Sequence, residues 1–232
     1  MLKFLCMTRV CILVHLAVII GNAHFLRNGR SKISKFFKLL FKYLEGVMKI
    51  RMSSPDLSDA DRQAVNDVVN TPNLSMGPKI DAFEHAFCEL TGAKHAIGVN
   101  SGTAGLHLCI RAADVGVGDI VITTPFSFVS STNVILFEKA VPVFVDVDRV
   151  TGNIDPTQLS RAVEDLFMGG AAARRWLPRR LPPENQGGLK RVKAVLPVDV
   201  FGQPADYDRI NAVAKQYDLR VIEDSCEALG GE

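Results

Sequence analysis

The sequence predicts an α/β fold in which a mostly parallel sheet is covered by helices on both faces. From residue 96 onward, short runs of β-branched residues alternate with amphipathic segments of helical length. Helix-capping residues stand where several of these segments begin. Of the 232 residues, 47% are hydrophobic and 22% are charged, which is a globular composition that can bury a core.

Two helices are predicted before the first strand. Ser58 is a good N-cap for a helix over 59–70, because acidic residues follow in its first turn. A second helix runs from about residue 78 to residue 90, and Gly92 is its stop.

Strands and helices then alternate along the chain. Strands are predicted over 96–99, 120–123, 141–145, 192–197 and 220–223. Helices are predicted over 103–113, 127–137, 156–163 and 206–217. Asp155 caps the third of these helices, and Pro156 occupies its first position, where a missing N–H is harmless.

Residues 165–190 interrupt this alternation. The segment contains the basic run Arg174-Arg175-Trp176-Leu177-Pro178-Arg179-Arg180, followed by Pro182-Pro183. Loops this long are usually functional or disordered. We expect a plain solvated insertion at the surface. The alternative is that the basic cluster meets an anionic ligand.

The first 51 residues differ in kind from the rest of the chain. They hold ten Lys or Arg and one acidic residue, and residues 10–20 form an apolar run of eleven. Such a run fits a signal-peptide core, because a membrane-spanning helix needs about 20 residues. Residues 31–49 have the pattern of a basic amphipathic helix of the membrane-surface type.

Two interpretations of residues 1–51 remain open. They are either a leader that brings the protein to a membrane, or an upstream extension of a protein that starts at Met48 or Met52. We favour the extension, because everything downstream is typical of a cytoplasmic protein. The globular domain is therefore predicted over 52–232.

Composition and spacing argue against several classes of function. Residues 52–232 carry 17 basic and 24 acidic side chains, which does not suit nucleic-acid binding. The five cysteines are widely spaced without a C-x-x-C motif, which suits free thiols in a reducing compartment. The histidines lack metal-ligand spacing, so we predict no metal site. Neither G-x-G-x-x-G nor a Walker motif is present, so the sequence lacks the fingerprints of dinucleotide sites and Walker-type phosphate sites.

A candidate anion site lies between the first predicted strand and the helix that follows it. The segment Asn100-Ser101-Gly102-Thr103-Ala104-Gly105 offers free N–H groups at a helix start, where glycine lets a ligand approach the backbone closely. Thr103 adds a hydroxyl donor. Residues of these types are also common at such junctions as simple helix caps.

Two further candidates follow other strands. Glu223 and Asp224 come at the end of the last strand, and Phe128 lies in the turn after the second. Parallel strands end at one edge of a sheet, so these side chains could converge with the anion site. Asp224 could then pair with a protonated ring nitrogen, and Phe128 could stack on a flat ring. Taken singly, the acids suit a solvated turn and the phenylalanine suits a core.

Seven motifs occur in an order that closely resembles the DegT/DnrJ/StrS-type nucleotide-sugar aminotransferases, which use pyridoxal 5'-phosphate (PLP). They are Gly77-Pro78-Lys79, Asn100-Ser101-Gly102-Thr103-Ala104, Thr124-Pro125-Phe126-Ser127-Phe128-Val129, Pro142-Val143-Phe144-Val145-Asp146-Val147-Asp148, Asn153-Ile154-Asp155-Pro156, Phe201-Gly202-Gln203-Pro204-Ala205-Asp206 and Val221-Ile222-Glu223-Asp224. The resemblance covers about residues 53–232. It implies the fold type I (aspartate aminotransferase-like) large domain of PLP-dependent transferases, in incomplete form.

The resemblance also implies which residues bind the cofactor. In that family the Gly-Thr-Ala loop, here Gly102, Thr103 and Ala104, holds the phosphate. The aromatic residue after the Thr-Pro turn stacks on the ring, which implies Phe128. The aspartate of the Glu-Asp pair binds the pyridine nitrogen, which implies Asp224.

A sixth cofactor-binding position departs from the family pattern. The family usually has Gln or His three residues after the aspartate, on the 3-oxygen side of the ring, and this chain has Glu227 there. The family's Schiff-base lysine lies further along the chain, whereas this sequence has no lysine after Lys215. We therefore expect the catalytic lysine to lie beyond Glu232, and we expect an N-terminal portion that is inactive alone.

The implied activity of the whole enzyme is transfer of an amino group from a donor such as glutamate to a keto-sugar nucleotide, in amino-sugar or polysaccharide biosynthesis. A homodimer is expected for the full-length protein. Three alternatives stay open: a PLP-dependent sugar dehydratase, in which histidine replaces the lysine; a non-catalytic PLP-binding or regulatory protein; and a membrane-attached interaction protein, if the leader is genuine. The residue encoded at the lysine position would discriminate the first two from a transaminase.

Overall fold

The computed structural model describes residues 54–181, 185, 188–189 and 191–231. The expectations for residues 1–51 lie outside the described residues. The chain divides into two compact units after Pro72. No helix in the described ranges is long and apolar enough to cross a membrane. The three cysteines of these ranges, Cys88, Cys109 and Cys226, are free thiols.

The described part of the first unit contains one helix, α1, over Asp59–Val69. Ser58 caps it as predicted. The Asp61 N–H donates to Ser58 Oγ at 3.3 Å, while the Ser58 N–H donates to the Asp61 carboxylate at 2.7 Å. This reciprocal pair satisfies two N–H groups that the start of a helix leaves without backbone partners.

The second unit contains the alternating elements. Its helices are α2 (Pro78–Thr91), α3 (Gly102–Ala112), α4 (Ser130–Phe137), α5 (Pro156–Met168), α6 (Gly170–Arg174) and α7 (Tyr207–Gln216). Its strands are β1 (Ile120–Thr123), β2 (Val141–Phe144), β3 (Val192–Leu196) and β4 (Arg220–Val221). Asp155 caps α5, since its carboxylate accepts the Thr157 N–H at 2.8 Å, and Pro156 begins the helix as predicted.

The four strands form one parallel sheet in the order β2-β1-β3-β4. On one face, Ile120 and Ile122 pack with buried residues of α5 and α7. On the other face, Val121 packs with buried residues of α3 and α4. A parallel sheet with helices on both faces was predicted, and this part of the fold is confirmed.

Residues 96–99 were predicted as a strand, and this prediction is wrong. They belong to no strand, and Ile97 is 78% exposed. A strand needs a neighbour to take its N–H and C=O groups, and none lies alongside among the described residues. The Gly98 N–H instead donates to the side chain of Glu84, at 2.6 Å from Oε1.

Residues 165–181 are not the solvated loop that the sequence suggested. Helix α5 continues to Met168 and α6 follows. Asp165 is buried and accepts hydrogen bonds from Trp176 Nε1 at 2.7 Å and from the Arg175 guanidinium at 2.9 Å. Trp176 and Leu177 also pack against the core under α5. The charges of the basic run suggested a solvated loop, but the run also contains Trp176 and Leu177, whose side chains are partly buried against the core.

Candidate functional site

A cavity of about 570 Å³ opens at the carboxyl ends of the strands. The segments that follow β1, β3 and β4 line it together with the start of α3. Ligands of open α/β sheets commonly bind at this edge. The lining residues are Gly102, Thr103, Phe126, Ser127, Phe128, Ser130, Val198, Asp199, Val200, Phe201, Asp224, Cys226 and Glu227.

Five of the six residues for which cofactor binding was predicted line this cavity. They are Gly102, Thr103, Phe128, Asp224 and Glu227. Ala104 does not line it, and its N–H donates to Ser101 Oγ at 3.2 Å. The structure thus brings the glycine-threonine loop and the acidic loop to one place, while their roles toward a cofactor stay a prediction.

The start of α3 forms one wall of the cavity. Ser101 is the N-cap, and in the described part of the chain no acceptor takes the N–H groups of Gly102 and Thr103. These groups and the positive end of the helix dipole favour an anion. This wall could therefore hold a phosphate.

Gly102 touches the opposite loop. A Cβ atom at this position would lie 2.7 Å from Cys226 Sγ, which is closer than real Cβ contacts allow. Only a residue without a side chain lets α3 begin so near the loop after β4. The sequence analysis explained this glycine by the close approach of a ligand to the backbone. The structure gives a second reason, which is the close packing of Gly102 against Cys226.

Asp224 stands on the other wall and is 6% exposed. Ser131 Oγ donates to Asp224 Oδ2 at 2.8 Å, and Ser127 Oγ lies 2.6 Å from Ser131 Oγ. The backbone of Asp224 is tied to the segment after β3, because its N–H donates to Pro197 O at 3.1 Å. A buried carboxylate in this position can bind a cationic group that enters the cavity.

The Asp224 carboxylate also affects the pKa of Cys226. Burial raises the pKa of its thiol to about 11, and the hydrogen bond to Asp224, the Asp224 charge and the Glu227 charge act in the same direction. The group next to Asp224 is therefore a neutral thiol at physiological pH.

Asp199 connects the loops after β3 and β4, and it is 2% exposed. Its carboxylate accepts the Ala205 N–H at 2.8 Å, the Tyr207 hydroxyl at 2.9 Å and the Ser225 hydroxyl. Burial raises the pKa of Tyr207, and the neighbouring Asp199 charge raises it further. This network holds Asp199 in place in the cavity lining. Tyr207 keeps its proton and donates it in a hydrogen bond to Asp199.

Glu227 has a structural contact of its own. Its carboxylate accepts the Phe201 N–H at 2.9 Å. Phe201 has φ 55°, a left-handed conformation that costs a non-glycine residue about 1–2 kcal/mol, so this hydrogen bond supports a strained backbone. Phe201 also meets Phe126 edge-to-face, with ring centroids 5.9 Å apart.

Sequence reasoning missed Ser131, Asp199 and Phe201. Asp199 and Phe201 follow β3 closely, so the rule that strand ends carry ligand sites could have flagged them. Nothing in the sequence pairs Ser131 with Asp224, since that contact depends on how α4 packs. Across the described ranges, no group of three or more His, Cys, Asp or Glu residues is placed to hold a metal ion.

The arrangement suits a flat, dipolar ligand. An anionic end would meet the N-terminus of α3, and a cationic end would meet the Asp224 carboxylate. Phe128 is 77% exposed at the cavity and is available to cover a ring.

Comparisons with solved structures point in the same direction. A DegT DnrJ EryC1 StrS aminotransferase from Brucella abortus is 31% identical with a TM-score of 0.63, and the match covers 73% of this chain and 40% of that one. PseC of Helicobacter pylori, an aminotransferase involved in the biosynthesis of pseudoaminic acid, is 30% identical with a TM-score of 0.61, covering 79% and 43%.

A third similar structure is the PLP-form of the putative sugar aminotransferase Spr1654 from Streptococcus pneumoniae. It is 26% identical with a TM-score of 0.62, and the match covers 78% of this chain and 44% of that chain. The chain thus spans less than half the length of each of these three relatives. The sequence profile of the DegT/DnrJ/EryC1/StrS aminotransferase family matches residues 55–232, and the chain belongs to that family.

Proposed function

We propose that this chain supplies the cofactor-binding part of a PLP-dependent aminotransferase that moves an amino group from a donor such as glutamate to a keto-sugar nucleotide. The observation that carries the proposal is the single cavity shared by the N-terminus of α3 and the buried Asp224. Family membership and the sugar aminotransferases among similar structures support it. A homodimeric, cytoplasmic enzyme is part of the same proposal.

The residues present fit PLP on structural grounds. The N–H groups of Gly102 and Thr103 have no acceptor within the described ranges, and a phosphate would satisfy them. Asp224 is buried beside neutral donors, Ser131 and Cys226, so its charge has no cationic partner among the described side chains that line the cavity. A protonated ring nitrogen would supply that partner.

Each wall then has a distinct task. Gly102 and Thr103 hold the phosphate and so fix the position of the ring. Phe128 covers a face of the ring and excludes water from it. Asp224 keeps the proton on the ring nitrogen, because a buried carboxylate stabilises an adjacent cation. When bound, PLP supplies the electron sink that amino transfer requires.

The proposal is tested by titrating the full chain with PLP and following cofactor absorbance and protein fluorescence. We expect saturable binding that weakens by about 10- to 150-fold in Thr103→Val, since one hydrogen bond to a charged group contributes about 1.5–3 kcal/mol. Pyridoxal, which lacks the phosphate, should bind more weakly and should not distinguish Thr103→Val from the parent. Thr132→Ala, in α4 and outside the cavity lining, is the control.

Two results would contradict the proposal. One is the absence of saturable PLP binding by a folded chain. The other is equal affinity of the chain for PLP and for pyridoxal, which would mean that the N–H groups at the start of α3 do not bind the phosphate. In a longer form that carries the family's lysine, Asp224→Asn should slow amino transfer from glutamate severely, while Thr132→Ala should not.

A further inference from the structure

We propose that Ser131, supported by a hydrogen bond from Ser127, is a positioning residue that orients the Asp224 carboxylate. The cofactor side of this inference rests on the proposed function, in which Asp224 faces the ring nitrogen. The structural side rests on the hydroxyl chain alone and can be tested without any ligand.

The contact joins two distant parts of the sheet. Ser131 lies in α4, the helix that follows β1 along the chain, whereas Asp224 follows β4, and β3 separates β1 from β4 in the sheet. Ser131 is fully buried, and its Oγ lies 2.8 Å from Asp224 Oδ2. A buried hydroxyl must find a partner, so this one is committed to the carboxylate.

The direction of the chain follows from proton counting. A serine hydroxyl has one proton, and an ionised carboxylate can only accept. Ser131 therefore donates to Asp224 and must accept from Ser127, whose Oγ is 2.6 Å away. The Phe128 carbonyl, at 3.1 Å from Ser127 Oγ, is the longer competing acceptor. Donors in series polarise one another, which strengthens the last bond to the carboxylate.

One consequence follows for Asp224. One of its oxygens is fixed by Ser131, which restricts rotation of the carboxylate. The carboxylate is therefore held in one orientation, which a ring nitrogen facing it would require.

The first measurement compares crystal structures of the unliganded parent, Ser131→Ala, Ser131→Thr and Ser127→Ala. We expect the Asp224 carboxylate to turn away from its parent position in Ser131→Ala and to return in Ser131→Thr, which keeps the hydroxyl. Ser127→Ala should leave it in place. Thr132→Ala is the matched control on the same helix.

The second measurement is nitrogen NMR of ring-labelled PLP, titrated with pH on the loaded protein. In Ser131→Ala the ring nitrogen should lose its proton at a pH lower by about one unit, because the turned carboxylate no longer faces the protonated nitrogen. Ser131→Thr should restore the midpoint, and Ser127→Ala should shift it less. A general loss of packing would lower the melting temperature without moving this midpoint.

The inference is overturned if Asp224 keeps its position in unliganded Ser131→Ala, or if the midpoint of the loaded variant equals that of the parent. A parent chain that binds no PLP would instead defeat the proposed function. The crystallographic comparison would then still decide whether Ser131 orients Asp224.

Discussion

The two walls of the cavity are supported in different ways. The Asp224 wall follows β4 of a sheet whose strand β1 is fully buried and hydrogen-bonded on both sides. The wall of Gly102 and Thr103 follows residues 96–99, which belong to no strand, expose Ile97 and Val99, and are held at Gly98 by the Glu84 side chain. The Asp224 wall is thus preceded by a paired strand, whereas the wall of Gly102 and Thr103 has no paired strand before it and depends on the packing of α3 against the sheet.

The comparison shows that β-branched composition alone does not make a strand. Ile120–Thr123 and residues 96–99 both have the apolar character of buried strands, and both were predicted as such. The first has neighbours on both edges, whereas the second has none among the described residues. Strand propensity measures how a segment fits a pleated surface, and that surface must be present.

The largest expected effect separates the two supports directly. Ile122→Ala should lower the free energy of unfolding by about 2–5 kcal/mol, because it leaves a cavity in the buried sheet. Ile97→Ala, the matched deletion in the exposed segment, should change it by less than about 0.5 kcal/mol. Urea denaturation measures both. Equal losses would mean that residues 96–99 are as deeply packed as β1.

An intermediate effect is expected where the walls touch. Gly102→Ala should destabilise the protein by about 1–3 kcal/mol, since its Cβ would overlap Cys226 Sγ. Gly105→Ala, in the same helix with its nearest contact at 3.4 Å, should be close to neutral. Cys226→Ala should recover most of the loss when combined with Gly102→Ala. Additive losses in the double variant, measured by thermal unfolding, would refute this contact.

The smallest effect concerns the anchor of the exposed segment. Glu84→Ala removes the acceptor of the Gly98 N–H and should speed hydrogen exchange of that amide several-fold, for a bond of about 0.5–1.5 kcal/mol. Amides of β1 should exchange as in the parent. Glu89→Ala, one turn further along α2 and paired with His85 at the surface, is the control. Unchanged exchange at Gly98 would show that another contact holds the segment.

Local signals predicted much of the fold. Ser58 and Asp155 cap helices as expected, and the bounds of β1 were predicted to the residue. These features depend on a few neighbouring residues and on the spacing of apolar residues along the sequence. Gly102 and Asp224 were also expected to converge, and they line one cavity. The reason given for Gly102 was wrong, however, because residues 96–99 are not a strand of the sheet.

Tertiary contacts could not be predicted in the same way. The Trp176–Asp165 hydrogen bond turns an apparent loop into packed structure, and the Ser131–Asp224 bond depends on the seating of α4. Both join side chains that no local pattern relates. The missing strand at 96–99 belongs to the same class, since pairing is a property of the neighbours.

The neutral thiol of Cys226 has a chemical consequence for the cavity. Burial, reinforced by the Asp224 carboxylate, raises the pKa of this thiol to about 11, so the thiol is protonated at physiological pH. The thiolate is the form that attacks carbonyl carbons and that peroxide oxidises. The thiol can therefore line a cavity proposed to admit an aldehyde without attacking it. The carboxylate that would hold a cationic ring thus adds to the burial that keeps Cys226 unreactive.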